Sequence, residues 1–380
     1  LGEFGHLETP EALGMMCALY EEIKPALARL LEQREIDRAF IDERTAQYAK
    51  ENQGVPYLSP LYKTVIGDRD DRGRLVVGAH KLSESQEGRA GGPEADSLTS
   101  PPAPLKRVSI PDWLKGDQVT LFGPPDTLKM SINAMNALHH RLPDEPPIVG
   151  ELVTSSGNVP RWGADNEDSK TPIMRRFLSA CDHLIGCFEG TLSFDDPKRG
   201  KQYRLKERDL SRPIKRIPGL ALPDGSHLWR GEPIPFHLYD FFMHLYHNWR
   251  RPEALAFYIP KLENEEEAAY LRALIERAEH AIKALHPTYE IGTVGLFIVF
   301  ENPRAIFRIR EIADTLHPYF IGGSLGWHDF LASTARLFKH DSNYQIPVKA
   351  DPNIVINHIK ESHLILRSAL EPIGGIAIGG

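Results

Sequence analysis

Seven short apolar runs, separated by helix-like stretches over residues 105–380, constrain this chain more than any other feature. The runs are Val119–Phe122, Pro160–Asp165, Ile214–Leu220, Phe257–Ile259, Val294–Phe300, Tyr319–Ile321 and Ile373–Ile378. Helical periodicity fills several of the intervals, at Lys129–Leu138, Glu265–Leu285 and Asn353–Leu370. Alternation of this kind is the βαβ pattern. Seven strands in that length fit a TIM (β/α)8 barrel of roughly 250 residues with one weak strand. An open doubly wound sheet is the alternative, but GxGxxG and GxxxxGK[ST] phosphate loops are both absent. Strand-like pieces at Lys201–Leu205 and Ser226–Arg230 predict a small β-rich excursion around residues 188–235.

Residues 1–80 read as an N-terminal, mainly helical segment. Thr9 is a candidate N-cap with Pro10 at the first helical position, and the pattern predicts a helix over 9–50. Its apolar face runs through Leu13, Met16, Cys17, Tyr20, Ile23, Leu27, Leu30 and Leu31, with Pro25 a point of kinking or splitting. Residues 81–104, rich in Ser, Gly, Glu and Pro, predict a flexible linker or surface insertion, because they hold too little apolar surface to fold alone. The chain starts at Leu1 and stops at an apolar run, Ile376–Gly380, a pattern expected of part of a longer polypeptide.

Composition narrows the function classes. The chain has 380 residues, 41% hydrophobic and 26% charged, enough for a full core. A net charge of -7 argues against nucleic acid as partner, while leaving room for a local basic pocket for an anionic cofactor. Three cysteines without a CxxC pair predict reduced thiols and a cytoplasmic protein. No apolar run has the length of a membrane span and no signal-peptide pattern opens the chain.

A barrel makes a demand on chemistry: active groups sit just past the C-terminal ends of strands. Glu301 follows Val294–Phe300, and Asp329 closes Gly326-Trp327-His328-Asp329 after Tyr319–Ile321. The two acids are 28 residues apart, about one strand–helix–strand repeat, and such a pair suits a hard cation that keeps water ligands, as Mg²⁺ does. A surface salt bridge for Glu301 and a helix N-cap for Asp329 are the plainer alternatives. Asp165, Glu167 and Asp168 follow another strand and offer acceptors for the cation's waters, or a solvated helix start capped by Asp168-Ser169. Arg216 is placed to stabilise an oxyanion or enolate, or to form a structural ion pair. His244 and His247 read as packed side chains, because no third ligand has zinc-site spacing. The basic residues Arg175, Arg176 and Lys198–Lys201 read as solvated. Sequence order reveals no Ser-His-Asp or Cys-His arrangement.

From Leu105 onward the chain resembles the A-type malate synthases. The resemblance rests on Lys129–Ala137 (KMSINAMNA), Ala164–Ser169 (ADNEDS), Arg216-Ile217-Pro218-Gly219, Gly231–Pro235 (GEPIP), Tyr258–Glu263 (YIPKLE), the Glu301 region, Gly326–Asp329 (GWHD) and Gly379-Gly380. It implies Mg²⁺-dependent Claisen condensation of acetyl-CoA with glyoxylate, a glyoxylate-cycle reaction, giving malate and CoA. By resemblance, Glu301 and Asp329 are the Mg²⁺ ligands, and Arg216 polarises the aldehyde and stabilises the enolate. Asp165 and Glu167 hold the cation's waters. Gly326, Trp327 and His328 belong to the loop that binds the glyoxylate carboxylate. Lys129, beside the Gly123-Pro124-Pro125 turn, is the candidate contact for a CoA phosphate.

The sequence departs from that family in four places. The family's general base lies in a C-terminal helical domain beyond the final strand, so no residue of this chain matches it. The family's Gly-Arg-Trp-Asp reads Gly326-Trp327-His328-Asp329, without the arginine. Ile376 stands in place of an aromatic residue, which suits a bulkier 2-oxo acid. The stretch between Lys81 and Pro104 is longer than usual. Three readings follow: a malate synthase or close variant; a divergent relative using another acceptor or cleaving a malyl-CoA-like thioester, with a base from elsewhere such as a neighbouring subunit; and a non-catalytic barrel that binds CoA thioesters or scaffolds a partner. A homo-oligomer is compatible with each.

Overall fold

A computed structural model of the chain describes residues 2–57, 59–79, 106–115, 120–156, 158–167, 173–344, 351 and 359–379. The 81–104 stretch lies outside the described residues, as do Asp168, Ser169 and the start of the helix expected from Asn353. Strands are β1 (Thr120–Gly123), β2 (Arg161–Asp165), β3 (Ser193–Asp196), β4 (Lys201–Arg204), β5 (Arg212–Arg216), β6 (Pro223–Trp229), β7 (Glu232–Pro235), β8 (Ala256–Ile259), β9 (Gly295–Phe300), β10 (Phe320–Leu325) and β11 (Ile376–Ile378). β3 pairs with β4 and β6 with β7 as antiparallel hairpins.

The remaining seven strands correspond one-to-one to the seven apolar runs and hydrogen-bond in the order β1-β2-β5-β8-β9-β10-β11. Each new strand joins beside its predecessor. A doubly wound sheet instead reverses its strand order at a switch point, so the barrel-type progression prevails over that alternative. The described residues supply seven strands and the order ends at β1 and β11, so they do not make the closed eight-stranded barrel that the sequence pattern led us to expect. Burial explains why these runs are strands. All six residues of β9 (GLFIVF) are buried, as are all four of β8 (AFYI), the continuous apolar pattern of parallel strands covered on both faces.

The chain divides into two compact units. The first comprises Leu1–Glu22, Ile110–Pro260 and Ile275–Leu296; the second comprises Ile23–Ser109, Lys261–Leu274 and Phe297–Gly380. In the first, β1, β2, β5 and β8 pair in parallel. A core of Ile132, Met135, Trp162, Ala164, Leu184 and Cys187 packs with the β3–β4 hairpin residue Tyr203. In the second, β10 pairs in parallel with β11, and Ile41, Val65, Val76, Val77 and Leu337 form a separate cluster.

The helix Pro10–Glu51 begins as expected, with the Thr9 hydroxyl accepting from the Ala12 N–H at 3.2 Å. It runs through Pro25 without splitting. Its buried stripe changes character along its length. Ala12, Met16, Leu19, Tyr20, Ile23 and Leu27 are buried and uncharged, but Arg34 and Asp37 are also buried on the later turns. Apolar periodicity alone does not anticipate two buried charges there. Among the described residues no helix is long and apolar enough to cross a membrane.

A charged clasp ties residues of the first unit that are distant in sequence. His227 on β6 stacks on Tyr239, with ring centroids 4.5 Å apart. Its Nδ1 lies 2.5 Å from Asp224 and its Nε2 2.6 Å from Glu8. Burial opposes the charged imidazole, but hydrogen bonds to the two carboxylates outweigh it and push the pKa up to about 9. Since the folded value is raised, the stabilisation is fully present below the ordinary value of about 6.5 and is lost as pH rises through about 9. Unfolding free energy should therefore fall between about pH 6.5 and about pH 9.5, by on the order of 1–2 kcal/mol once solvent screening of the partly exposed ring is allowed for. His227→Gln should flatten that slope, as read from urea midpoints across the interval.

Candidate functional site

Two candidate groups stand at neighbouring strand ends in the first unit. Asp165 is the last residue of β2 and Arg216 the last of β5, and the parallel register places them opposite one another. Arg216 Nη2 lies 2.6 Å from Glu167 Oε2, and its Nη1 lies 3.6 Å from Asp165 Oδ2. Glu167 is buried, and its N–H donates to Asp165 Oδ1 at 2.9 Å, so a tight turn presents both acids to one guanidinium. The Asn166 N–H donates to the Arg216 carbonyl at 3.2 Å, which extends the β2–β5 ladder beyond the strands. Arg216 therefore does form an ion pair, and its partners are the same two acids singled out from the sequence.

A buried network lies behind this group. Strand alternation turns Lys215 to the face opposite Arg216. Its Nζ lies 2.7 Å from Asp240 Oδ1, with the two side chains 1% and 0% exposed. Asp240 also accepts from the Cys181 thiol at 3.3 Å, and its two oxygens lie 3.4 Å from the Asn166 amide nitrogen. Burial alone would lower the Lys215 pKa, but the adjacent Asp240 carboxylate raises it above its ordinary value and keeps the ammonium charged. Asp240 thus touches the chain neighbours of every candidate group here, Asn166 between the two acids and Lys215 beside Arg216. This network is not anticipated from the sequence. Its signals were a lysine inside an otherwise buried strand and one acid within the aromatic-rich helix Phe236–Asn248.

The second unit holds the other candidates. Glu301 directly follows β9 and is only 4% exposed, so the surface salt bridge alternative does not apply. Its Oε1 accepts from the Lys261 N–H at 2.6 Å. Its Oε2 faces Gly326, where an added Cβ would stand 2.7 Å away. Gly326 is the N-cap position of the helix Trp327–Leu337, and its N–H donates to the Phe300 carbonyl at 3.1 Å. Asp329 is in the first turn of that helix rather than at its N-cap. The Trp327 and His328 rings stack with centroids 3.8 Å apart. Among the described residues no group of three or more His, Cys, Asp or Glu side chains is arranged to hold a metal ion. The donor chemistry still fits Mg²⁺, which takes one or two carboxylates and retains several waters. The close approach of Gly326 leaves the Glu301 carboxylate a cradle that a side chain would fill.

Residues 213–378 match the family model described as "Malate synthase, TIM barrel domain". The chain is similar to several malate synthases. It is 28% identical to malate synthase A of Escherichia coli (strain K12) over 282 residues, covering 73% of this chain and 48% of that protein. It is 26% identical to the glyoxysomal malate synthase of Ricinus communis over 280 residues, 70% of this chain and 45% of that one. The chain thus spans about half the length of these curated relatives. A solved Haloferax volcanii malate synthase, in its lead(II) complex, superposes with a TM-score of 0.43 at 14% identity, covering 70% of this chain and 62% of that chain.

Other sequence candidates have plainer surroundings. Lys129 lies on the helix Leu128–Met135 with its Nζ 5.0 Å from the Tyr203 ring centroid. His244 is buried, its Nε2 2.9 Å from the Ala254 carbonyl, and burial holds its pKa well below the ordinary value. His247 meets the Leu7 carbonyl at 2.8 Å. Both are packed histidines, as their spacing suggested.

The Lys215–Asp240 pair generates a stability test. Lys215→Met leaves a buried carboxylate unpaired and should cost about 3–5 kcal/mol in urea unfolding. Lys215→Met combined with Asp240→Leu should recover most of that loss, because the uncompensated charge is gone.

Proposed function

We propose that this chain carries the metal- and acceptor-binding machinery of a malate-synthase-type reaction: Mg²⁺-dependent condensation of acetyl-CoA with glyoxylate, or a related 2-oxo acid, releasing CoA. The observation that carries the reading is the Glu167–Arg216–Asp165 group at paired strand ends, in a chain whose residues 213–378 match the malate synthase barrel model. The Glu301 cradle against Gly326 supports it independently.

Glu301 and Asp329 would hold the cation through carboxylate oxygens. Mg²⁺, when bound, supplies Lewis-acid polarisation of the acceptor's carbonyl. Arg216 presents a guanidinium whose position is set by two acids before substrate arrives. Such preorganised charge compensates negative charge developing on a substrate oxygen and needs no reorganisation during reaction. Asp165 and Glu167 hold that guanidinium in place and offer acceptors to the cation's water ligands. The loop Gly326-Trp327-His328 opens the helix Trp327–Leu337, and the backbone N–H groups of Trp327 and His328 in its first turn are suited to the acceptor's carboxylate. Lys129 is the candidate contact for a CoA phosphate. No residue of this chain is assigned as the base that removes the acetyl methyl proton.

Free CoA thiol released from acetyl-CoA is the test, run with glyoxylate and a panel of 2-oxo acids, in Mg²⁺ and in EDTA. Mg²⁺-dependent release with glyoxylate is expected. Release only with a larger acid would make the chain a divergent condensing enzyme. No release from the chain or from the full gene product would overturn the proposal. Glu301→Ala and Asp329→Ala should each abolish release while leaving the circular dichroism spectrum unchanged, and retained Mg²⁺ binding in either would remove that residue from the cation site. Arg216→Ala should lower kcat by roughly 10²–10³; an unchanged kcat would exclude Arg216 from the chemistry.

A further inference from the structure

Lys261 has a backbone φ of +58°, a conformation that side chains with a Cβ rarely adopt. Such a residue persists only where its surroundings over-determine it. Within the second unit, three contacts do so. The Lys261 N–H donates to Glu301 Oε1 at 2.6 Å. The Lys261 carbonyl accepts from Arg34 Nη2 at 2.9 Å. The next carbonyl, of Leu262, accepts from the Asn302 amide at 2.9 Å, and Asn302 adjoins Glu301.

Arg34 is itself rigidly placed. Its Nε and Nη2 reach the two oxygens of Glu267 at 2.5 and 2.8 Å, the bidentate fork that a guanidinium forms with a carboxylate. The side chains are 7% and 2% exposed. Glu267 Oε2 also accepts from the Glu263 N–H at 2.8 Å, so the same acid braces the Lys261–Glu267 segment from the other side. Nη2 is shared between Glu267 and Lys261, which makes the guanidinium a gauge of where the Lys261 peptide sits.

We propose that Arg34 is a positioning residue for Glu301: it holds the Lys261 backbone in its left-handed conformation, and the Lys261 N–H then fixes the Glu301 carboxylate. The inference rests on the cation reading of Glu301 for its consequence, but the clamp stands on hydrogen-bond geometry alone. Burial of Arg34 and Asp37 on the Pro10–Glu51 helix then has a reason beyond packing. Arg34 reaches both ends of the Lys261–Glu267 segment, and Asp37 pairs with Arg304, which also pairs with Glu263 inside that segment. A side chain far away in sequence thereby sets which Glu301 oxygen is occupied by the chain and which faces the Gly326 cradle.

Arg34→Lys is the variant of choice, since it keeps a cation beside Glu267 but cannot span Glu267 and the Lys261 carbonyl together. Two readouts apply to the full chain: hydrogen exchange of the Lys261 amide, and Mn²⁺ affinity by electron paramagnetic resonance. Exchange at Lys261 should quicken at least about tenfold, and Mn²⁺ binding should weaken about 10–100-fold, the usual effect of losing a group that orients a ligand. Adding Lys261→Gly, which adopts positive φ without strain, should restore part of the Mn²⁺ affinity. A general loss of fold would not show that rescue. Unchanged protection at Lys261 in Arg34→Lys overturns the clamp whatever the metal result. Faster exchange with unchanged Mn²⁺ affinity overturns the positioning role. If the parent chain binds no Mn²⁺, or Glu301→Gln binds it equally well, the cation reading of Glu301 fails, and Lys261 exchange alone then decides for or against the clamp.

Discussion

Parallel pairing is the constraint from which the candidate residues take their places. In a parallel ladder neighbouring strands finish at the same edge, so residues remote in sequence meet at strand ends. Asp165 and Arg216 are 51 positions apart in the chain and directly opposite in the β2–β5 register. Strand alternation then divides labour between adjacent residues: Arg216 faces the acids Asp165 and Glu167, while Lys215 turns inward to Asp240. One short strand thus supplies two cations to opposite faces, each matched by its own carboxylates.

Both units bury charge, and both do so in pairs or networks. An isolated buried ion is costly enough that it neutralises or is matched. In the first unit the match is Lys215 with Asp240, and His227 with Glu8 and Asp224. In the second it is Arg34 with Glu267, Arg304 with Asp37 and Glu263, and Arg308 with Glu265 at 3.0 Å. These networks need not add net stability over an apolar core. They do restrict geometry, because a guanidinium between carboxylates and backbone carbonyls has few alternative arrangements. Candidate groups beside them inherit that restriction: Glu301 through Lys261, and the Asp165–Glu167 turn through Asn166.

Much of the fold was legible in the sequence. All seven apolar runs are strands in the sheet, and the helix expected at Glu265–Leu285 has those bounds. The Thr9 cap also follows from local pattern. These features depend on periodicity and on turn and cap chemistry, which act over a few residues. Of the eight strands expected of a barrel, the described residues supply seven, because the sequence pattern itself holds seven runs and reaches an eight-fold repeat only by assuming one more strand. The acids and the arginine at strand ends were legible by position, since a strand's last residue is visible once the strand is.

Partners were not legible. A lysine inside an apolar strand hints at Lys215 but does not name its partner, and nothing local tells Arg34 from the other charges of a long helix. Both are decided by side chains from distant segments, Asp240 and Glu267. The left-handed Lys261 is equally silent in sequence, because glycine or asparagine would have announced it and a lysine does not. The sequence by itself determined the order of strands and helices and which residues stand at strand ends, since hydrophobic period and capping act locally. Only the tertiary structure decided which charges are buried, which acids share a cation and which backbone is held against its preference, since those depend on Coulomb and hydrogen-bond partners that the fold alone brings together.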